Sequence, residues 1–190
     1  MLFTDLMPRR AWLLASVILA GAASIELALG RHPICTCGTI ELWVGERDSP
    51  KTSQMIADWY SFSHIVHGLL FYAALWLVAR RLRIEWRFVV ALMIEASWEV
   101  IENSPLVIDR YRATAAALGY TGDSILNSMS DILMMALGFF AARKLPLWAS
   151  IALLISAEIA PLIAIRDNLT LNIWNLFAPN SAVQAWQTAR

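Results

Sequence analysis

His64 and His67 stand three residues apart, Glu95, Glu99 and Glu102 follow i, i+4, i+7, and Asp123, Asn127 and Asp131 follow i, i+4, i+8. On a helix each set would share one face. Carboxylates and imidazoles at such spacing suit general acid–base chemistry. Carboxylates crowded in a low dielectric cannot all ionise cheaply, so one is held as an acid beside a base. A histidine within hydrogen-bond reach can serve as that base or hold a nucleophilic water. The same groups suit zinc or another divalent metal, with His64, His67, Glu99, Asp123 and Asp131 as candidate ligands. The blander reading is a buried hydrogen-bond network tying helices together. It suits any one of these residues better than it suits the whole collection.

A second group lies nearer the amino terminus. His32, Cys35 and Cys37 form H-x-x-C-x-C, a partial ligand set for a soft metal. The same cysteines suit a strained redox disulfide, and two reduced or half-buried thiols are the plainer alternative. Arg110 and Arg112 carry planar guanidinium groups fitted to a phosphate or headgroup contact. Pairing with Asp109 or with the carboxylates above is the blander expectation for both.

The elements that position these residues are those of a membrane protein. The chain has 190 residues, is 58% hydrophobic and has a mean hydropathy of +0.55. Only 16% of its residues are charged, against roughly a quarter in soluble domains. Formal net charge is zero, which gives no reason to expect a nucleic-acid partner. Two cysteines are too few for a disulfide framework.

Five apolar stretches approach the roughly 20 residues that cross a bilayer: 11–29, about 60–79, about 88–102, about 123–142 and about 147–165. The third is polar enough to escape a simple hydropathy scan. The expected architecture is all-α, a single polytopic membrane helix bundle with about five transmembrane helices. A polar loop, 30–58, follows the first span, and a tail, 166–190, holds one or two short interfacial helices or a loosely ordered end.

Arg9 and Arg10 precede the first span, Arg80, Arg81, Arg83 and Arg87 crowd one short connection, and Arg143 and Lys144 fill another. The positive-inside rule then places the amino terminus in the cytoplasm and the long loop outside. A cleaved signal peptide, with Ala20-Gly21-Ala22 as its small-residue site, is the rival reading of the first span. With this orientation the inner halves of the spans carry no ionisable side chain. The outer halves carry Glu26, His64, His67, Glu95, Glu99, Glu102, Asp123, Asp131 and Glu158. Intramembrane carboxylates are costly and normally face the bundle interior or a water-filled cavity. The expectation is a polar basin open to the outside above an apolar floor.

Three motifs, Ser63-His64-Ile65-Val66-His67-Gly68, Trp98-Glu99-Val100-Ile101-Glu102 and the run from Gly122 to Asp131, resemble the VanZ-like and YjdF-like small bacterial membrane proteins. That resemblance runs from Asp58 to Gly138 and implies site positions at His64, Glu99, Asp123, Asn127 and Asp131. With the run from His32 to Gly38, Asp58-Trp59-Tyr60 and the run from Ile108 to Arg112, the pattern resembles more closely an alphaproteobacterial multi-pass membrane family of unknown function. VanZ-like proteins are associated with glycopeptide-antibiotic resistance, and no catalytic role is carried over from them.

Three functions compete. The first is an enzyme of the bacterial inner membrane acting on a lipid headgroup or envelope precursor. Here His64 or His67 is the base, Glu99 and Glu102 are an acid or ligands, and Asp123 and Asp131 orient or ligate. The second is a non-enzymatic envelope factor binding lipid or a partner protein through the same basin. The third, an ion-linked transporter, is weaker because the inner floor offers no path of ionisable groups. The ligand set of alkaline ceramidase-type zinc hydrolases is not complete in this chain.

Overall fold

Helix boundaries follow local chemistry. Pro8 and Pro146 stand in extended backbone just before two helices, and Pro105 opens a third, where a missing N–H costs nothing. Gly30, at φ 84°, supplies the left-handed residue that ends the first helix. The Arg31 N–H turns back there to the Glu26 carbonyl at 2.9 Å. The computed structural model describes residues 8–113 and 119–189. Among them lie α1 (Arg9–Ala28), α2 (Ser61–Val78), α3 (Ile84–Glu102), α4 (Pro105–Arg112), α5 (Ile125–Lys144), α6 (Leu147–Ile165), α7 (Leu169–Phe177) and α8 (Ser181–Thr188). The described residues contain no strand, as the all-α expectation requires.

α1, α2, α5 and α6 are long and apolar enough to cross a membrane. Their outward faces agree with that. Ile151, Ile155, Ile159 and Ile163 form an exposed row along one face of α6. A surface of this kind is a liability in water and ordinary against lipid. The fifth expected span coincides with α3, which has 19 residues. It carries Glu85, Arg87, Glu95, Glu99 and Glu102, and is not among the helices apolar enough to span.

Two boundaries differ from expectation. α3 begins at Ile84 rather than near Phe88 and takes Glu85 into its first turn, where the Arg83 Nε lies 2.5 Å from the Glu85 Oε1. α5 begins at Ile125, because the Ser124 hydroxyl caps it by accepting the Asn127 N–H at 3.2 Å. Asp123 therefore precedes the helix, and the expected helical stripe reduces to Asn127 and Asp131.

α5 is central, touching α1, α2, α3 and α6, and α2 packs along it most extensively. Gly68 and Gly138 make that closeness possible. A Cβ on Gly68 would sit 2.0 Å from the Met135 carbonyl oxygen, and one on Gly138 2.1 Å from that of Ile65. Beside this seam Leu75, Phe88, Leu92, Met135 and Phe139 form an apolar core. The Phe139 ring lies 5.3 Å from Tyr72 and 5.5 Å from Phe88, both edge-on. Between helices in lipid, such packing holds by van der Waals fit rather than by exclusion of water.

The segment before α2 is built against the bundle. Cys35, Val44 and Met55 form a small core of their own. Carbonyls of Ser53, His32 and Pro33 accept the N–H groups of Ser124, Ile125 and Leu126 at 3.0, 2.9 and 3.1 Å. In the tail, Asn168 and Asn180 cap α7 and α8.

Candidate functional site

α3 and α5 bring three carboxylates to His64 on α2. Its Nδ1 lies 2.6 Å from the Glu95 Oε1 and 3.3 Å from the Glu99 Oε1, and its Nε2 lies 3.7 Å from the Asp131 Oδ2. Nearly one turn along α2, the His67 Nδ1 lies 3.1 Å from both Glu95 oxygens, and its ring stacks on Phe71. A carboxylate only accepts, so Glu95 draws the hydrogen of both rings to Nδ1. In the neutral imidazoles each Nε2 then keeps its lone pair. Asp131 accepts the Ser61 hydroxyl at 2.8 Å. His64, Glu95, Glu99 and Asp131 are all buried.

A second constellation stands around Asp123. Asn103 holds it at two points: its Nδ2 donates to the Asp123 Oδ2 at 3.0 Å, and its Oδ1 accepts the Asp123 N–H at 2.6 Å. The Tyr120 hydroxyl donates to the Asp123 Oδ1 at 3.0 Å. Burial pushes the Asp123 carboxyl up to about 6, against the downward pull of Asn103 and Tyr120. Glu99, Glu102 and Asp123 offer oxygens within 4.8 Å of one another, and His64, His67 and Glu95 offer ligand atoms within the same limit. The first set has the composition of a hard-cation site, the second that of a transition-metal site.

Both constellations border one cavity of about 1050 Å³. Its polar lining includes His64, His67, Glu95, Glu102, Asp123 and Asp131. Leu70, Phe71, Ile94, Leu169, Ile173 and Phe177 supply apolar lining. The cavity thus offers surfaces for both a polar and an apolar portion of one ligand.

Other residues expected at the site make their contacts elsewhere. Asn127 is buried but lies outside the cavity lining, and its amide donates to the Met55 carbonyl at 2.9 Å. The Arg110 Nε donates to the Leu176 carbonyl at 2.9 Å and the Arg112 Nε to the Tyr120 carbonyl at 2.7 Å. Arg112 also stands 3.6 Å from Asp109, the blander pairing. Glu158 accepts the N–H groups of Leu169 and Thr170, so it closes the start of α7. A disulfide joins Cys35 to Cys37, which takes both thiolates out of the soft-metal set, while His32 is exposed.

Three residues were not singled out from the sequence for the roles they hold. Asn103 continues the four-residue ladder of Glu95 and Glu99, a signal that was present. Asp58 accepts the N–H groups of Ser53 and Tyr60, each at 2.7 Å, and burial pushes its carboxyl up. Arg47 reaches the carbonyls of Ile165 and Gln187, each at 3.0 Å, and no local pattern announces it.

The family model described as "Protein of unknown function (DUF2585)" matches residues 26–189. A UPF0314 protein of Paracoccus denitrificans is 53% identical over 91% of this chain and 90% of its own length. One from Sphingopyxis alaskensis is 49% identical over 94% and 95%, and one from Novosphingobium aromaticivorans 49% identical over 86% and 85%. No solved structure matches.

Proposed function

We propose a function for a chain that belongs to the DUF2585 family: it is an integral inner-membrane protein whose cavity acts on the headgroup of a membrane lipid or a lipid-linked envelope precursor. In this reading α3 is a fifth span, the amino terminus is cytoplasmic and the cavity opens outward. Arg80, Arg81, Arg143 and Lys144, on the connections opposite the cavity, support the orientation. The likeness of the His, Glu and Asp motifs to VanZ-like proteins agrees with a role in the envelope.

The observation that carries the reading is the cavity's lining, where imidazoles and carboxylates share walls with Leu70, Phe71 and Ile173. An amphipathic ligand fits both. The His64 Nε2 is the base, oriented through Nδ1 by Glu95 in the manner of a carboxylate–histidine pair. Asp131, facing that Nε2, stabilises the imidazolium once the proton is taken.

A second reading is binding without turnover. It draws support from Ser61, Asn103 and Tyr120, which already satisfy Asp131 and Asp123 as a structural network would. The test compares the lipids and envelope precursors of cells carrying wild type, His64→Gln or Asp131→Asn, by mass spectrometry, with each protein's melting temperature measured in nanodiscs. Accumulation of one headgroup species in both stable variants is the expected result. An unchanged profile sinks the catalytic reading, and lipid that co-purifies unaltered with all three supports the binding one.

A further inference from the structure

We propose that Glu99, Glu102 and Asp123 hold one hard divalent cation of the magnesium, manganese or calcium class. Two observations meet here. The first is geometric: one oxygen from each of the three carboxylates lies within 4.8 Å of the others, close enough for one ion to reach all three at ordinary metal–oxygen distances. The second concerns Glu99 alone. Its side chain is fully buried, and neither oxygen accepts a hydrogen bond. Its nearest basic atom is the His64 Nδ1 at 3.3 Å, and the hydrogen on that nitrogen is directed to Glu95 at 2.6 Å. A carboxylate sealed from water with no donor is an anomaly that a cation resolves.

The surroundings have the form of a ligand's supporting shell. Asn103 clamps Asp123 through both side-chain amide atoms, and Tyr120 donates to its other oxygen. Each Asp123 oxygen thereby takes one hydrogen bond and keeps a lone pair for an ion, while the carboxylate's direction is fixed. Asn103 is itself anchored, its Nδ2 reaching the Glu99 carbonyl at 3.1 Å and the Ser128 hydroxyl at 3.2 Å. Oxygen is the only donor type in the set, which favours a hard ion over zinc. Glu102 and Asp123 line the cavity, so the ion would have open positions for water or for a ligand's oxygen.

The experiment uses the full chain in nanodiscs of zwitterionic lipid, stripped with EDTA and titrated with Mn²⁺, which is followed by electron paramagnetic resonance. Wild type, Glu99→Gln, Asp123→Asn, His64→Ala and a control, Glu158→Gln, are compared, and melting temperatures are taken with and without Mn²⁺. The expected result is one equivalent bound to wild type and to the control, with at least tenfold weaker binding in Glu99→Gln and Asp123→Asn. Mn²⁺ should raise the melting temperature of wild type but not of Glu99→Gln. Absence of binding to folded wild type overturns the proposal, as does binding that survives in both variants. Loss in His64→Ala with retention in Glu99→Gln overturns it too, by moving the ion to the histidines. No lipid substrate enters the measurement, so this site and the proposed catalysis stand or fall separately.

Discussion

Gly68 and Gly138 face opposite helices across a gap that admits no methyl group: each would-be Cβ falls about 2 Å from a backbone oxygen of the partner, 2.0 and 2.1 Å respectively. This contact sets how near α2 comes to α5, and so how near His64 comes to Asp131. Gly68→Ala or Gly138→Ala must push the helices apart along the whole seam. The expected cost exceeds the roughly 1–3 kcal/mol of ordinary overpacking. It is read as a lowered melting temperature in nanodiscs, and a variant as stable as wild type would refute this account of the seam.

Glu95 orients two imidazoles at once. Glu95→Gln replaces an acceptor-only group with one that donates from one end, which disturbs the tautomer of His64, His67 or both. Loss of such a supporting carboxylate typically costs about 10–100-fold in function. The measure is the headgroup turnover sought above, expressed against the melting temperature. Parallel losses in both would make Glu95 structural.

Arg47 spans the gap between the long loop and the chain's end, donating to the Ile165 and Gln187 carbonyls. Hydrogen bonds from a charged donor contribute about 1.5–3 kcal/mol. Arg47→Ala should therefore free α8 while leaving the spans packed. Limited proteolysis between α7 and α8, near Asn180, should accelerate with little change in the global melting temperature.

Asp167 gives the tail a pH dependence. It is buried between the Asn168 N–H at 3.0 Å, the Gln187 amide at 3.1 Å and the Tyr60 hydroxyl at 3.3 Å. Burial pushes its carboxyl from 3.8 up to about 6, outweighing those donors and Arg47. The docked tail thus binds a proton more tightly than the undocked one. Docking is favoured in full below about pH 4 and loses that contribution as pH rises through about 6, by at most about tenfold per pH unit between. Hydrogen exchange in α8 at pH 5 and pH 7, corrected for intrinsic rates, checks this. Asp167→Asn should flatten the dependence.

Much of the frame was legible because it depends on local pattern. Candidate spans such as Leu147–Ile165 follow from a run of apolar residues between a proline and an arginine, and Gly68, directly after His67, is the small residue that a close helix approach needs. Gly138 gave no such sign, since one glycine in an apolar helix looks alike whether it faces lipid or a backbone. The stripe from Asp123 to Asp131 was half right: spacing alone cannot register that Ser124 caps the helix and leaves Asp123 outside it. For Arg110 and Arg112 the sequence offered either a phosphate contact or pairing with carboxylates; Arg112 does stand near Asp109, but the backbone acceptors at Leu176 and Tyr120 are set by tertiary approach. Long-range pairings of this kind, with Arg47 the clearest, have no sequence period to betray them.

The start of α5 carries a last consequence. In its opening turn the N–H groups of Ser124, Ile125, Leu126 and Asn127 are all engaged, the first three by loop carbonyls and the fourth by the Ser124 hydroxyl. A bare helix start is an anion cradle, and here that cradle is already filled. No backbone donor from this turn remains for a phosphodiester, and the cavity beside it sets Glu95, Glu102, Asp123 and Asp131 against Arg47, His64 and His67. On the proposed reading, an anionic headgroup finds no backbone donor at this helix start, so its charge falls to Arg47, to the two histidines or to a bound cation.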